Sequence, residues 1–432
     1  MPKPALKPLA ESTPPTPKPR PRSGQPRIAL ALAGGGPLGA IYEIGALCAL
    51  DEALDGIDFT HLDHYVGVSA GSFIAAALAN GIGPHELCKS FIDNDTKLDA
   101  KHADHFDPAW LMTPAWSEFA RRGIMLPSLL VAALWQATVG GKSIPRALET
   151  LGPALPTGIF SNEKLNTGLA AIFSQSSRTN DFRQLRSRLT LVATDLDSGE
   201  AVPFGSPGWD HVPISRAVQA SAALPGLFPP VEIDDHSYVD GALRKSMHAS
   251  VALEAGVDLL LCLNPLVPFD ASSTAPAPAV MQRGLPQAQQ KIPRIADGGL
   301  PGVLSQTFRS MIHSRMELGM KHYERTYPDT DIVLIEPDSR DPEVYLANTF
   351  SYSQRRAMAE HAYQHTRHVL RSRKTSLSCT LAKHGIRINS AVLDDARAQL
   401  VMPPKPTSRL GLAIANLQEV MEDLETSVRV VA

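Results

Sequence analysis

Asp63-His64-Tyr65-Val66-Gly67-Val68-Ser69-Ala70-Gly71-Ser72-Phe73-Ile74-Ala75-Ala76-Ala77-Leu78 is the stretch on which the fold turns. A short apolar run ends in Gly-x-Ser-x-Gly and an alanine-rich segment follows from Phe73, so the order is strand, sharp turn, helix. A serine in such a turn stands clear of the sheet only if its neighbours carry no side chains, which Gly67 and Gly71 provide. The pentapeptide alone is common by chance, and its weight depends on what surrounds it.

Upstream, Ile28-Ala29-Leu30-Ala31-Leu32-Ala33 is fully apolar, as a central parallel strand should be, and runs directly into Gly34-Gly35-Gly36-Pro37-Leu38-Gly39. From residue 40 to 54, Ile41, Ile44, Leu47, Leu50 and Leu54 recur at helical spacing. The glycines therefore lie at a helix mouth, where unpaired N–H groups stabilise negative charge. Dinucleotide folds use the same strand, glycine turn and helix, but their second strand ends in an acidic residue. Here it ends in the Ser69 turn.

A serine hydroxyl needs a base to take its proton. No strand leads into His211, His236 or His248 in a way that singles one out. Tyr238-Val239-Asp240-Gly241-Ala242 instead puts a carboxylate in a tight turn at a strand end, although Asp-Gly by itself reads as a hairpin.

The glycine loop, the Gly67–Gly71 elbow and Asp240-Gly241-Ala242 stand in the order and spacing of the patatin-like phospholipase family, which this chain resembles from Arg27 to Met247. Leu191-Val192-Ala193-Thr194-Asp195-Leu196-Asp197-Ser198-Gly199-Glu200 and Ala220-Ser221-Ala222-Ala223-Leu224-Pro225-Gly226-Leu227-Phe228-Pro229-Pro230 resemble it too. The resemblance implies a three-layer α/β/α fold around a central, mostly parallel sheet. It implies a Ser-Asp dyad with Ser69 as nucleophile and Asp240 as proton acceptor, and an oxyanion hole at Gly34, Gly35, Gly36 and Gly39. Gly67 and Gly71 would form the nucleophile elbow, and Asp240, Gly241 and Ala242 the motif around the base. The activity implied is hydrolysis of fatty-acyl esters of phospholipids or related lipids, with no metal or organic cofactor. Acyl transfer or thioester cleavage on the same dyad, and a catalytically silent lipid-binding protein, are the alternatives.

Many members carry a basic residue where this chain has Leu38. Pro37 has no N–H, so the expected donors are Gly35 and Gly36, with Ala70 as a third. Ala33 replaces an aspartate found in some members. Asp195, Asp197 and Ser221 read as turn or scaffold residues.

The remaining sequence bounds the answer. With 432 residues, 44% of them hydrophobic, the chain can bury a sizeable core. A net charge of −3 argues against a nucleic-acid partner. Cys48, Cys88, Cys262 and Cys379 are far apart, without metal-ligand spacing, and read as reduced structural thiols. Residues 1–25 alternate Pro with Lys and Arg and read as a disordered tail; 26–248 read as the catalytic domain. Residues 249–372 continue it, with a flexible loop near 268–302, a helix over 304–327, a strand over 331–335 and a helix over 353–371. Residues 373–432 form a helical extension whose 410–430 helix would pack on the domain, on another subunit or on a membrane. No apolar leader is visible, which predicts a cytoplasmic protein. The longest apolar stretch, 124–139, falls short of a membrane span. Flanked by Trp116 and holding Trp135, it reads either as a lid or interfacial face for acyl chains or as a buried helix. Headgroup preference and oligomeric state have no readable signal.

Overall fold

The computed structural model describes residues 24–92, 113–138, 150–270, 295–341, 344 and 354–401. Its main sheet is built from β1 (Ile28–Leu32), β2 (His64–Val68), β3 (Arg188–Asp195), β4 (Ala201–Phe204), β5 (Val231–Ile233), β6 (His236–Asp240), β7 (Leu259–Leu263) and β8 (Asp331–Ile335). The order is β8-β7-β1-β2-β3-β6-β5, with β4 also paired to β3. β8, β7, β1, β2 and β3 run parallel, while β4 and β6 join β3 antiparallel and β5 joins β6 antiparallel.

Residue alternation in β1 sets the layers. Ile28, Leu30 and Leu32 face a core shared with α1 (Gly36–Ala53), α2 (Ala70–Ala79), α3 (Pro84–Phe91), and with helices that follow later in the chain. Ala29, Ala31 and Ala33 face the opposite core. Both faces of the strand are dry, which is why its sequence is a continuous apolar run. Along the chain come α4 (Trp116–Gly123), α5 (Leu126–Thr138), α6 (Glu163–Phe173), α7 (Ile214–Ser221), α8 (Ser250–Glu254), α9 (Gly299–Thr326), α10 (Arg355–Ser372), α11 (Lys374–Ala382) and α12 (Ser390–Asp394). α6, α7 and α10 pack with α1 and α2, whereas α8 and α9 cover the alanine face, giving the three-layer α/β/α architecture around a mostly parallel sheet.

Boundaries differ from the sequence reading where termini carry special residues. α1 starts at Gly36, with Pro37 in its first turn, where a missing N–H costs nothing and φ is already helical. α9 starts at Gly299, inside the stretch read as loop, with Pro301 again in the first turn. The Asp-Gly pair at 240 is no hairpin: the β5–β6 turn falls at Asp234 and Asp235, at φ 48° and 63°, while Asp240 opens a 3-10 turn over Gly241–Leu243. Beyond residue 372 the chain folds back on α1: Arg387–Ile388 pair with Leu54–Asp55, and the buried Arg367 guanidinium donates to the carbonyls of Val392, Leu393 and Asp395. The expected helix over 410–430, residues 1–23 of the expected 1–25 tail and residues 271–294 of the expected 268–302 loop lie outside the described residues.

Candidate active site

The β2–α2 corner places Ser69 at φ 54° and ψ −123°, a left-handed conformation that is rare for a residue with a side chain. The corner is tight because β2 must turn at once into α2. A Cβ on Gly71 would stand 2.6 Å from the Leu32 carbonyl oxygen, and one on Gly67 would stand 2.6 Å from Ser72 Cα. Ser69 is the N-cap of α2, so the positive end of that helix faces whatever bonds to its Oγ.

β6 delivers the partner. Ala193 of β3 is the register partner of Asp240, and the Asp240 carboxyl reaches across so that Ser69 Oγ donates to Oδ2 at 2.6 Å. Oδ1 accepts the Ala242 amide at 2.8 Å. Val68, which precedes Ser69, and Ala242, two residues after Asp240, join Val192 and Ile312 of α9 in one apolar cluster, and Asp240 is buried. Burial pushes its carboxyl up to about 6, against the lowering pull of the Ser69 and Ala242 hydrogen bonds.

The glycine loop lies directly over this pair. A Cβ on Gly34 would fall 3.0 Å from Ser69 Cβ and 3.1 Å from Ala242 Cβ. Not all four loop glycines can serve as donors, however. The Gly34 amide bonds the Ser246 carbonyl at 3.3 Å, and the Gly39 amide bonds Gly35 O at 3.0 Å as the helix begins. Gly34 and Gly39, placed in the loop but not expected as donors, thus have engaged amides, which leaves Gly35 and Gly36 as the loop's donor candidates. Gly35 and Gly36 are half-buried at the first turn of α1, and Ala70 is half-buried at the first turn of α2, positions whose amides have no intrahelical acceptor.

Two further contacts escaped the sequence reading. Ser221, read as scaffold, accepts the Ser69 amide at 2.8 Å. His248 is buried at φ 47° and its Nε2 donates to Gly241 O at 3.3 Å. Burial and the nearby Lys245 and Arg244 charges hold that imidazole down to about 4, so it stays neutral beside the hydrogen-bonded Ser69 and Asp240. Ser221 stands in a family-like stretch, two residues before Ala223, whose carbonyl takes the Asp240 amide, but nothing local in the sequence marks its contact with Ser69. His211 and His236 are exposed and pair with Asp234 and Asp195. Asp195 closes its own turn through the Asp197 and Ser198 amides, and Asp197 is exposed.

The site thus brings together a strand–serine–helix corner, a buried carboxylate bonded to the serine and a glycine loop above both. The sequence pattern described as patatin-like phospholipase matches residues 30–253, just over half of the chain, which belongs to that family. Among related proteins, an uncharacterized NTE family protein of Mycobacterium tuberculosis is 26% identical over 256 residues, covering 59% of this chain and 52% of its own length. An uncharacterized protein of Acanthamoeba polyphaga mimivirus is 24% identical over 217 residues, 49% of this chain and 57% of that one. This chain thus spans about half the length of the relatives it matches. Among solved structures, VipD from Legionella pneumophila aligns with a TM-score of 0.34 at 17% identity, covering 81% of this chain and 67% of that one. The type III effector protein ExoU aligns at 0.30 and 16%, covering 81% and 53%.

Proposed function

We propose that the chain is a serine lipid acyl hydrolase that cleaves fatty-acyl esters of phospholipids or related lipids. The observation that carries this reading is the 2.6 Å bond from Ser69 Oγ to a buried Asp240 carboxyl whose pKa is pushed up to about 6. A carboxylate with that affinity is ionised at neutral pH and still a competent proton acceptor. In the mechanism Ser69 Oγ attacks the ester carbonyl carbon while its proton passes to Asp240 Oδ2. The amides of Gly35, Gly36 and Ala70 receive the oxyanion, each worth about 2.7–4 kcal/mol of barrier. Collapse expels the alcohol, which takes the proton from Asp240. Water then attacks the acyl-Ser69 ester, again giving its proton to Asp240, and the fatty acid leaves as Ser69 regains its hydrogen.

A lipid surface is the natural partner, because α4, α5 and the first half of α9 expose large apolar side chains. Contact is peripheral in this reading, since no helix among the described residues is long and apolar enough to cross a membrane. Buried free thiols at Cys48, Cys88 and Cys262 suit the reducing cytoplasm.

Hydrolysis of a short p-nitrophenyl ester and of a phospholipid panel by the wild type, Ser69→Ala and Asp240→Asn tests the reading. Both folded variants should lose at least about 1,000-fold in kcat. A folded wild type inert on every ester, or an active Ser69→Ala, would overturn it. Transfer of the acyl group to an added alcohol in preference to water would redirect it to acyl transfer.

A further inference from the structure

Ser69 occupies its left-handed conformation only because surrounding contacts hold it there. Among its polar contacts, the one at its amide reaches β3 through a side chain. Ser221, the last residue of α7, is fully buried; its Oγ accepts the Ser69 amide at 2.8 Å and donates to the Val192 carbonyl of β3 at 2.6 Å. As the N-cap of α2, Ser69 has no helical acceptor for that amide. Only a group that donates and accepts at once satisfies both backbone atoms, and a hydroxyl does so.

The same two stretches of backbone also hold the base. Two residues beyond Ser221, the Ala223 carbonyl accepts the Asp240 amide at 3.0 Å. Val192 adjoins Ala193, the register partner of Asp240, and its carbonyl abuts the space where a Gly241 side chain would stand. Ser69 is thus tied to β3 through the Val68–Val192 pairing of its strand and, at its own amide, through a side chain, whereas Asp240 is tied to it through backbone.

We infer that Ser221 is a positioning residue that fixes the Ser69 elbow against β3, so that Oγ meets Asp240 Oδ2; this rests on the dyad reading above. It follows that the Ser69 amide is committed and takes no part in holding the oxyanion. Ser221→Thr and Ser221→Val test the inference, because the two side chains have the same shape and differ only in the hydroxyl. The full chain is assayed for kcat and KM on a short p-nitrophenyl ester, for the rate of covalent labelling by a fluorophosphonate, and for the pH dependence of kcat/KM.

The valine variant should fall on the order of 100-fold below the threonine variant in kcat, with KM within about threefold, and label more slowly in parallel. Its acid limb should move upward, because Asp240 loses the Ser69 hydrogen bond that lowers its pKa. Equal kcat and labelling in the two variants, or a difference confined to melting temperature, overturns the inference. Should the β-branched pair fail to fold, Ser221→Ala replaces it against the wild type, and a kcat within about twofold is then the overturning result. A wild type that neither hydrolyses the ester nor takes the label removes the dyad reading and this inference together. An active wild type, a dead Ser69→Ala and equal threonine and valine variants remove the inference alone.

Discussion

At the residue scale the central fact is a carboxyl that the fold makes uncomfortable. Asp240 is fully buried, and its pKa stands at about 6 against an ordinary 3.8 because burial outweighs two hydrogen bonds. An acid whose folded pKa is raised binds its proton more tightly when folded. Its contribution to stability is therefore fully present below the unfolded value and is lost as pH rises through about 6. Above that pH the ionised carboxylate costs the native state on the order of 1–3 kcal/mol. Asp240→Asn cannot ionise and keeps an oxygen for the Ala242 amide, so it should unfold at higher urea than the wild type at pH 8, with the advantage shrinking by pH 4. Wild-type kcat/KM should fall below pH 6 with the same group. An asparagine variant destabilised equally at both pH values would show that Asp240 is not strained by its charge.

At the scale of elements, the site depends on how closely β1, β2 and α2 approach. Gly71 lies against the Leu32 carbonyl, so Gly71→Ala must push α2 away from β1 and carry Ser69 with it. We expect a loss of about 1–3 kcal/mol in stability together with a fall in kcat on the order of 100-fold. Gly123→Ala, at the end of α4 with nothing within 4 Å of the new Cβ, is the control and should be neutral or slightly stabilising. Equal behaviour of the two would mean that the corner is not tight. These close approaches are also what the sequence could express: β1 as an unbroken apolar run, the elbow as glycines around a serine, Asp240 as the residue after a short apolar stretch. Such signals are local, set by period and by the absence of side chains. Ser221 and Ser69 are 152 residues apart, and only the folded sheet brings them together. The start of α9 was hidden for a different reason, since Gly298, Gly299, Pro301 and Gly302 disfavour helix locally while Met316 and Tyr323 further along anchor it in the core.

At the scale of the whole molecule, apolar side chains are exposed as faces and not singly. On α5 and the residues leading into it, Ile124 is 80% exposed, Val131 67% and Trp135 61%, which is incompatible with the buried-helix alternative. α9 carries a second stripe, Leu300, Val303, Leu304, Phe308 and Met311, at helical spacing. Both faces connect to the dyad. Ile312, next to Met311, belongs to the apolar cluster around Ala242 and Val192. Behind α4, the Ile159 amide bonds Gly226 O and the Phe160 amide bonds Leu227 O, in the segment that runs from Ser221 to the Asp240 strand. Arg121 and Arg122 both pair with Glu118, so the α4–α5 face offers little free positive charge for anionic headgroups. Binding to a lipid surface should therefore rest on apolar burial, proceed on zwitterionic vesicles and survive high salt. The double change Val131→Ser and Trp135→Ser should abolish flotation with phosphatidylcholine vesicles and reduce phospholipid hydrolysis, while leaving turnover of a soluble short-chain ester within about twofold. Unchanged flotation would assign these apolar faces to contact with protein instead of lipid, and a parallel loss on the soluble ester would mean that the helix supports the dyad itself and not access to it.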